Sequence, residues 1–274
     1  MTIKERFHHE WQNWSMLGGV REWLVDSYGR VINFVDPLSH RGNIAKVRLR
    51  DKQQPYAVRL AMGDRCVLFE IFANEDYAIA CRHNTDAKTI LDLGAHVGFS
   101  VRLWLERCPQ ARILAVEADE RNFAVARRNV ELSGQAHRSE VINAAVAAVQ
   151  PGQKLYISRD HAGFDASISA TRNSDDDCEV TACGVSELLD RLSPGGSIDL
   201  LKCDIEGSEK PIFKQCADWI GRVHSIMIET HEPYTVPELM EDIARNGGKF
   251  RLVQENHRPG FAVAFLLREP DPAK

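Results

Sequence analysis

Residues 89–100 read Thr-Ile-Leu-Asp-Leu-Gly-Ala-His-Val-Gly-Phe-Ser, and the architecture of the chain can be worked out from them. The apolar, strand-like start breaks at Gly94, and a helical pattern begins near Gly98. Twenty-three residues after Gly94, a second apolar run, 113–116, ends in Glu117. A strand, a glycine turn, a helix and a strand that ends in a carboxylate form the nucleoside-binding half of a doubly wound sheet. Such glycines let backbone approach a ligand, and the carboxylate can accept both hydroxyls of a ribose.

The glycine turn lacks the residues that bind phosphates. A dinucleotide fingerprint has glycine at its first, third and sixth positions, where this chain has Gly94, His96 and Phe99. No Gly-Lys-Ser/Thr follows, which excludes a P-loop. S-adenosylmethionine (SAM) fits a phosphate-free site, because its carboxylate suits a helix N-terminus and its ammonium suits Asp92 or nearby carbonyls. The alternative is a turn that binds no ligand, but the spacing to Glu117 favours a ligand.

The predicted cofactor site extends from this turn to the ends of the neighbouring strands. We predict that Asn143 approaches the adenine edge, although asparagine at a strand end is equally a turn former. The predicted cofactor-binding residues are Asp92, Gly94, Ala95, His96, Gly98, Ser100, Glu117, Asn143 and Asp204.

Composition narrows the class of protein and its partners. The 274 residues allow one α/β domain with an N-terminal extension, or two small domains. With 44% hydrophobic and 27% charged residues, the chain can form an ordinary core, and disorder is not indicated. The net charge of −5 argues against a duplex nucleic-acid partner, because phosphate-binding surfaces are usually basic.

Cysteine usage and hydropathy predict a cytoplasmic protein without a membrane span. The seven cysteines form no Cys-x-x-Cys pair, so neither zinc-site spacing nor a redox pair is present, and reduced thiols are expected. The N-terminus has no apolar signal core. The longest apolar run, 261–267, is too short to cross a bilayer.

From Thr89 onward, strand and helix patterns alternate, which predicts a doubly wound α/β fold with a seven-stranded, mostly parallel sheet. The final two strands have only 256–260 between them, so we expect a terminal antiparallel hairpin. The predicted strands are 89–93, 112–117, 139–144, 198–204, 223–230, 249–254 and 261–267. The predicted helices are 98–107, 120–132, 186–191, 208–216 and 236–246, the last with a capping box of Thr235 and Glu238.

The remaining segments lie before and inside this pattern. Residues 1–85 are predicted to be an N-terminal extension or cap, and 86–274 the nucleoside-binding domain. Within the extension, 10–25 looks helical, and Trp11 and Trp14 could stack on a sugar ring, although a core cap or a self-association surface is favoured. The runs 46–49, 56–60 and 66–72 are predicted to be short strands. Residues 145–182 interrupt the alternation, with one short strand at 154–158 and with Asp165 and Ser167 in a loop that could cover adenine.

A second motif follows the predicted fourth strand. The run 198–209 leads an apolar strand into three carboxylates around a glycine, which are Asp204, Glu206 and Glu209. The next strand ends in Glu229-Thr-His231, so two neighbouring strand ends deliver carboxylates and an imidazole to one crevice. Lys202 lies on an otherwise apolar strand, which predicts an ion pair with a neighbouring carboxylate.

These motifs resemble those of the FkbM family of SAM-dependent methyltransferases. The family's first motif is similar to 92–100, its Lys-x-Asp-x-Glu-Gly-x-Glu run matches 202–209 position by position, and its Glu-x-His matches 229–231. The resemblance covers roughly 60–268. The chain departs from the family at His96, where asparagine is usual.

The resemblance implies a Rossmann-like class I methyltransferase that methylates a hydroxyl of a sugar, glycan or secondary metabolite and releases S-adenosylhomocysteine. Removal of the hydroxyl proton needs a base, and His231 is the first candidate because imidazole titrates near neutral pH. Glu206 is the second candidate. The alternative is that His231 only binds a backbone carbonyl at its strand end. Possible functions besides O-methylation are methylation of a nitrogen or a carboxyl group, or SAM binding without catalysis.

The clustered carboxylates and His231 could also hold a divalent metal. The favoured alternative is that Asp204 and Glu206 orient backbone and SAM, while Glu209 suits the dipole of the next helix. We therefore predict no metal ligands. The expected partner is a small-molecule or glycan acceptor, and homo-oligomerisation is open.

Overall fold

The structure is a computed structural model that describes residues 43–50, 52–60, 62–73, 76–159 and 166–270. The predictions for the helix at 10–25 and for Asp165 lie outside these residues. The strands are β1 Ile44–Val47, β2 Tyr56–Arg59, β3 Thr89–Leu93, β4 Arg112–Glu117, β5 Ser139–Asn143, β6 Ala145–Val146, β7 Lys154–Arg159, β8 Ala166–Ser169, β9 Cys178–Cys183, β10 Ile198–Cys203, β11 Val223–His231, β12 Phe250–Arg258 and β13 Phe261–Arg268. The α-helices are α1 Asp64–Ala73, α2 Asp76–His83, α3 Phe99–Arg107, α4 Glu120–Leu132, α5 Val185–Leu192, α6 Glu209–Phe213 and α7 Val236–Arg245.

A seven-stranded sheet organises the molecule, in the order β12-β13-β11-β10-β3-β4-β5. The neighbours from β11 to β5 are parallel, whereas β13 is antiparallel to both β11 and β12. This arrangement confirms the predicted fold class and the terminal antiparallel hairpin. The switch point lies between β3 and β10, because the chain leaves β3 toward β4 on one side and returns to β10 on the other.

The turn after β3 requires glycine for two reasons. Gly94 has a φ of +78°, which L-residues with side chains rarely adopt. A Cβ built on Gly94 would lie 1.7 Å from the carbonyl oxygen of Asp204, so the close approach of β3 and β10 leaves no room for a side chain. At Gly98, with a φ of +81°, a Cβ would lie 2.9 Å from the Cα of Ala126, which lets α3 pack closely on α4. The turn and the helix contact thus follow from the sequence.

Buried apolar side chains cover both faces of the sheet. On one face, α1 to α4 and the β1–β2 hairpin share a core that includes Phe69, Phe99 and Trp104. On the other face, α5, α6 and α7 pack a second core around Phe213 and Leu239. Helices on both faces of a parallel sheet leave its carboxyl edge open as the place where a ligand can bind.

The segment 66–72 was predicted to be a strand, and this prediction is wrong. It lies in helix α1, which begins at Asp64. The carboxylate of Asp64 accepts hydrogen bonds from the backbone N–H of Arg59, at 2.8 Å, and from its guanidinium, at 2.7 Å. A short apolar run has no periodicity that separates a strand from a helix, so the buried Asp64–Arg59 pair decides the structure here.

The β1–β2 hairpin confirms the predicted strands at 46–49 and 56–60, within a few residues, and it is tied to the sheet domain. The amide of Asn129, on α4, accepts from the N–H of Ala57 at 2.7 Å and donates to its carbonyl at 3.0 Å. The guanidinium of Arg102 lies 4.1 Å from the ring centroid of Tyr56. The described part of the predicted extension therefore shares the core of the main domain.

The interruption at 145–182 forms a second, four-stranded sheet with the order β6-β9-β7-β8. The predicted strand at 154–158 is confirmed as β7, whereas β8 and β9 were not predicted. Strand β6 follows β5 after one residue, so this sheet adjoins the carboxyl edge of the main sheet. Through the described part of the chain, none of the helices combines the length and the apolar character that crossing a membrane requires.

Candidate functional site

A pocket of about 340 Å³ opens at the carboxyl edge of the sheet. The turn after β3, the end of β4, parts of the second sheet, α1, α2 and β13 all contribute to its lining. Its lining residues are Val67, Glu70, Ile71, Tyr77, Gly94, Ala95, His96, Ser100, Val116, Glu117, Ala118, Asn122, Ala144, Val146, Ile168, Lys202, Asp204, Ile205, Glu206, Glu229, His231, Phe261 and Val263. The pocket thus brings together most of the residues predicted from the two sequence motifs.

Glu117 ends β4 with its carboxylate held by backbone donors. Its Oε2 accepts from the N–H of His96 at 2.7 Å, and its Oε1 accepts from the N–H of Asp119 at 2.9 Å. Burial raises the pKa of this carboxyl to about 7, although the backbone hydrogen bonds work in the opposite direction. A fixed carboxylate at a strand end suits a ribose diol, as the spacing predicted.

Histidine stands at position 96, where asparagine is usual, and the turn keeps its conformation. His96 has a φ of +49°, a left-handed conformation that asparagine adopts more readily than histidine. Its backbone N–H still reaches Glu117, and the residue lines the pocket. The departure therefore changes the side chain in the pocket and leaves the turn intact.

Asp92 does not line the pocket. Its side chain is fully buried, and its Oδ2 accepts from the indole N–H of Trp104 at 3.0 Å. The ammonium of Lys202 lies 3.4 Å from its Oδ1. Trp104 and Lys202 are therefore the neighbours of this carboxylate, and its contact with the ammonium of SAM stays a prediction.

Lys202 joins the two motifs. Its ammonium donates to the carbonyl of Gly94 at 2.5 Å and lies 3.4 Å from the carboxylate of Asp204, which confirms the predicted ion pair. Burial opposes the charge, but Asp204 and Asp92 outweigh burial and raise the pKa of Lys202 well above its ordinary value. Lys202 thus holds the glycine turn and Asp204 together with a buried positive charge.

Two other predicted cofactor residues lie outside the pocket lining. Gly98 packs against α4. The amide of Asn143 donates to the carbonyls of Glu117 at 2.9 Å and Ala118 at 2.8 Å, and the residue is exposed. These contacts match the alternative role of Asn143 as a turn former.

His231 lies at the end of β11 among three carboxylates. Its Nδ1 is 3.1 Å from Oε1 of Glu209, and its Nε2 is 3.3 Å from Oε1 of Glu229 and 3.4 Å from Oε2 of Glu206. Asp204, Glu206 and His231 each place a potential metal-ligand atom within 4.8 Å of the other two. The arrangement assembles the predicted crevice.

Burial and the neighbouring charges in this cluster shift the pKa values of His231 and Glu229. Burial of His231 disfavours the imidazolium, but hydrogen bonds to Glu209 and Glu229 outweigh burial and raise its pKa to about 11. Burial, together with the charge of Asp204, raises the pKa of Glu229 to about 7, although the hydrogen bond from His231 lowers it. At neutral pH, His231 therefore carries a proton, and Glu229 lies near the middle of its titration.

Glu209 is the buried anchor of the cluster. Its side chain is fully buried, and its Oε1 accepts from the N–H groups of Ile205, at 3.1 Å, and Gly207, at 3.2 Å. The same oxygen contacts His231, so the carboxylate fixes both the loop after β10 and the orientation of the imidazole ring. Its predicted place at the start of the next helix is confirmed, because α6 begins at Glu209.

Some pocket residues could not be identified from the sequence. Ile168 comes from β8, in the interruption, where no motif marked it. Glu70 and Ile71 lie on α1, in the segment predicted to be a strand. A helical interpretation of that segment would have placed neighbouring side chains on one face and brought them toward the sheet edge.

Comparisons with known proteins found similar sequences and similar structures. The sequence matches the protein family described as "Methyltransferase FkbM domain" over residues 92–249, more than half of the chain. It is 31% identical over 192 residues to a protein of Jannaschia sp. (strain CCS1) that bears the name "Putative methyltransferase", with 63% of this chain and 67% of that protein covered. An O-methyltransferase family protein from Burkholderia thailandensis is similar in structure, with a TM-score of 0.45, 11% identity, and coverage of 76% of this chain and 57% of that chain. The N-terminal domain of EvdMO1 with SAH bound has a TM-score of 0.41, 16% identity, and coverage of 71% and 81%.

Proposed function

The chain belongs to the family of methyltransferases with an FkbM domain, and on that premise we propose that it transfers the methyl group of SAM to a hydroxyl of a sugar, glycan or secondary metabolite. The products are S-adenosylhomocysteine, a methyl ether and a proton. SAM is the proposed donor because the glycine turn has no phosphate-binding residues and meets a strand-end carboxylate.

The proposal depends most on how the carboxylate of Glu117 is held in the pocket. Both of its oxygens are oriented by backbone N–H groups, and the residue lines the pocket. In the proposed complex the two hydroxyls of the SAM ribose donate to these oxygens. The side chains of Ala118, Val146 and Ile168 provide apolar contacts for adenine on the same side of the pocket.

The acceptor is proposed to bind against the apolar residues that α1 and β13 contribute to the pocket. Val67 and Ile71 of α1 and Phe261 and Val263 of β13 line it, and His231 lies beside Phe261, with ring centroids 6.2 Å apart. An apolar wall with charged groups at one end suits an acceptor with a carbon skeleton and a hydroxyl directed inward. The wall holds the acceptor oxygen in line with the methyl carbon, and positioning of this kind does much of the work in methyl transfer.

A carboxylate is a better base in this site than His231. The imidazole is already protonated at neutral pH, so it can donate a hydrogen bond but cannot accept the hydroxyl proton. Glu229 has a pKa of about 7, which is suited to general-base catalysis near neutral pH. We therefore assign the proton to Glu229, with Glu206 as the second candidate. The acceptor oxygen bonds to the methyl carbon, the carbon–sulfur electrons stay on sulfur, and the hydroxyl proton moves to the carboxylate.

The test has separate binding and transfer measurements. Calorimetry should show that SAM binds, and transfer of a radiolabelled methyl group should be found on at least one compound in a panel of sugars and polyketide alcohols. We expect Glu229→Gln to lower kcat by roughly 10²- to 10⁴-fold, the usual contribution of a general base. Glu241→Gln, an exposed carboxylate on α7, is the matched control and should keep the wild-type rate. An absence of SAM binding would refute the proposal, and wild-type rates in both Glu229→Gln and Glu206→Gln would refute the assignment of the base.

A further inference from the structure

The described residues at the ends of β10 and β11 contain a set of ligand atoms with the geometry of a metal site. Asp204, Glu206 and His231 each offer one atom within 4.8 Å of the others. The Nε2 of His231 lies 3.4 Å from Oε2 of Glu206. Two ligands that are each about 2.1 Å from a tetrahedral ion lie about 3.4 Å apart, so this pair can bind one ion without rearrangement.

The imidazole of His231 is held in the orientation that a metal ligand needs. Its Nδ1 faces Oε1 of the fully buried Glu209 at 3.1 Å. An ion that binds Nε2 displaces the proton of that nitrogen to solvent while Nδ1 keeps its own, so the lone pair of Nε2 becomes the ligand on the side of the ring where Glu206 lies, 3.4 Å away. Histidines that bind metals almost always donate their other N–H to such a carboxylate or carbonyl, which fixes the tautomer and the ring orientation.

The charge of the buried carboxylate supports a cation at this place. The Oε2 of Glu209 is buried and has no hydrogen-bond partner in the described part of the chain, and the same carboxylate points at the ring of His231. Asp204, Glu206 and Glu229 add three further carboxylates around the ring. Buried charges are costly unless they are paired or coordinate a metal.

From this geometry we propose that Asp204, Glu206 and His231 bind a divalent transition-metal cation at the floor of the pocket. Two carboxylates and one imidazole favour Mn²⁺ or Zn²⁺ over Mg²⁺, because Mg²⁺ prefers ligand sets made only of oxygen. Three protein ligands leave coordination positions for a small molecule, as in catalytic rather than structural metal sites. If the proposed methyl transfer is correct, an acceptor hydroxyl can take one of these positions and lose its proton more easily.

Mn²⁺ is the probe for the test, because its binding can be measured without a methyl acceptor. Protein that has been treated with EDTA and dialysed should remove the free-Mn²⁺ signal in electron paramagnetic resonance with a stoichiometry of one ion per chain. Zn²⁺ should compete with Mn²⁺ more strongly than Mg²⁺ does. We expect Glu206→Gln and His231→Ala to weaken Mn²⁺ binding at least tenfold. We expect Glu209→Gln to weaken it by roughly 10- to 100-fold through the orientation of His231.

The chain offers a matched control for these variants. The exposed side chain of His257, on β12, lies 2.8 Å from Glu255, so His257→Ala also removes an imidazole beside a carboxylate and should leave Mn²⁺ binding unchanged. Glu206 is 37% exposed, so Glu206→Gln should fold, and circular dichroism checks this for every variant.

The outcomes separate this proposal from the proposed function. Mn²⁺ binding that is absent, or equal in wild type and Glu206→Gln, overturns the metal site, and SAM binding in the same samples would leave the methyltransferase assignment standing. Conversely, Mn²⁺ binding that depends on Glu206 and His231, in a protein that shows no affinity for SAM, supports the metal site and refutes the proposed function.

Discussion

At the scale of single residues, Glu117 connects the fold to the proposed donor site. The residue is only 8% exposed, and its carboxylate accepts two backbone N–H bonds, one from the glycine turn and one from the loop before α4. Burial raises its pKa to about 7, so the residue changes charge in the range where most assays are made. The strength of donor binding should therefore depend on pH through this group.

We predict that the Kd for SAM rises as the pH is lowered from 8 to 6. Complete protonation of Glu117 removes a charged acceptor for the ribose hydroxyls, and hydrogen bonds to charged groups contribute about 1.5–3 kcal/mol. Because a group with a pKa of about 7 goes from about one tenth to about nine tenths protonated over this range, the Kd should rise by up to about tenfold. Titration calorimetry at several pH values would measure this effect. Glu117→Gln should bind SAM weakly with little pH dependence, and an equally steep pH dependence in that variant would contradict the prediction.

Protonation of Glu117 has the opposite effect on folding, because it stabilises the folded protein. The folded pKa of Glu117 is raised, so the folded protein binds the proton more tightly than the unfolded chain does. The stability that this proton contributes is present below the unfolded pKa, near 4.5, and is lost as the pH rises to about 7. At neutral pH, the ionised carboxylate of Glu117, which suits the ligand, therefore lowers the stability of the folded protein when no ligand is bound.

Lys202→Met should destabilise the protein strongly. The ammonium of Lys202 is 3.4 Å from the fully buried Asp92, and its loss leaves an unpaired buried charge, which costs about 3–5 kcal/mol. Lys210→Met is a matched control, because Lys210 pairs with Glu238 at the surface and such pairs contribute about 0–1 kcal/mol. Urea denaturation would compare the free energies of unfolding, and similar losses in the two variants would contradict this account.

The place of Glu117 in the pocket lining could be predicted from the sequence, whereas the place of Asp92 outside it could not, for a physical reason. Strand length and spacing determine which residue stands at the end of β4, so a short-range pattern is enough. Whether Asp92 reaches the pocket depends on Trp104, which comes from α3, and on Lys202, which comes from β10, 110 residues later. Contacts of this kind depend on packing, and periodicity does not encode them.

At the scale of elements, helix α7 begins with the N-terminal cap that its sequence predicts. The hydroxyl of Thr235 accepts from the N–H of Glu238 at 3.4 Å, and the carboxylate of Glu238 accepts from the N–H of Thr235 at 3.0 Å. This is the predicted capping box. Because the cap satisfies donors that the helix leaves unpaired, its contribution can be measured in isolation.

We predict that Thr235→Ala lowers the free energy of unfolding by about 1 kcal/mol, within the range of about 0.5–2 kcal/mol for such caps. Thr235→Ser, which keeps the hydroxyl, should retain most of the stability. Chemical denaturation followed by circular dichroism would measure both variants. If Thr235→Ser loses as much as Thr235→Ala, the hydroxyl is not the source of the effect.

The elements of the main sheet could be predicted, and those of the flanking segments could not. The run 112–117 is a continuous apolar strand between two charged residues, and 120–132 shows a helical pattern that begins after the cap residue Asp119; the structure reproduces the bounds of both. The run 66–72 is too short to show a period, and its helix depends on Asp64 and Arg59. Among the described strands, β8 pairs with β7, and β9 pairs with β6 and β7, so their stability comes from neighbours that the sequence pattern does not reveal.

At the scale of the whole molecule, the boundary predicted at residue 85 does not coincide with a boundary in packing. Tyr56, Leu68 and Phe69 belong to the same core as Phe99 and Trp104. Residues before and after the boundary therefore bury each other.

We predict that a fragment of residues 86–274 does not fold. It exposes the apolar surface of α3 that α1 and the hairpin cover, and it leaves the buried amide of Asn129 without its partner Ala57. The full chain is the control, with gel filtration and near-ultraviolet circular dichroism as the measurements. A monomeric fragment with a native-like near-ultraviolet spectrum would show that the two parts are separate domains.

The position of β13 has a consequence for synthesis on the ribosome. Strand β12 is made before β13 but pairs with the rest of the sheet only through it. A nascent chain that has emerged only as far as Arg258 leaves the hydrogen-bonding edge of β11 open, and β12 has no partner to join. Until the next ten residues leave the exit tunnel, this edge is a place where chaperones, or another unfinished chain, can bind.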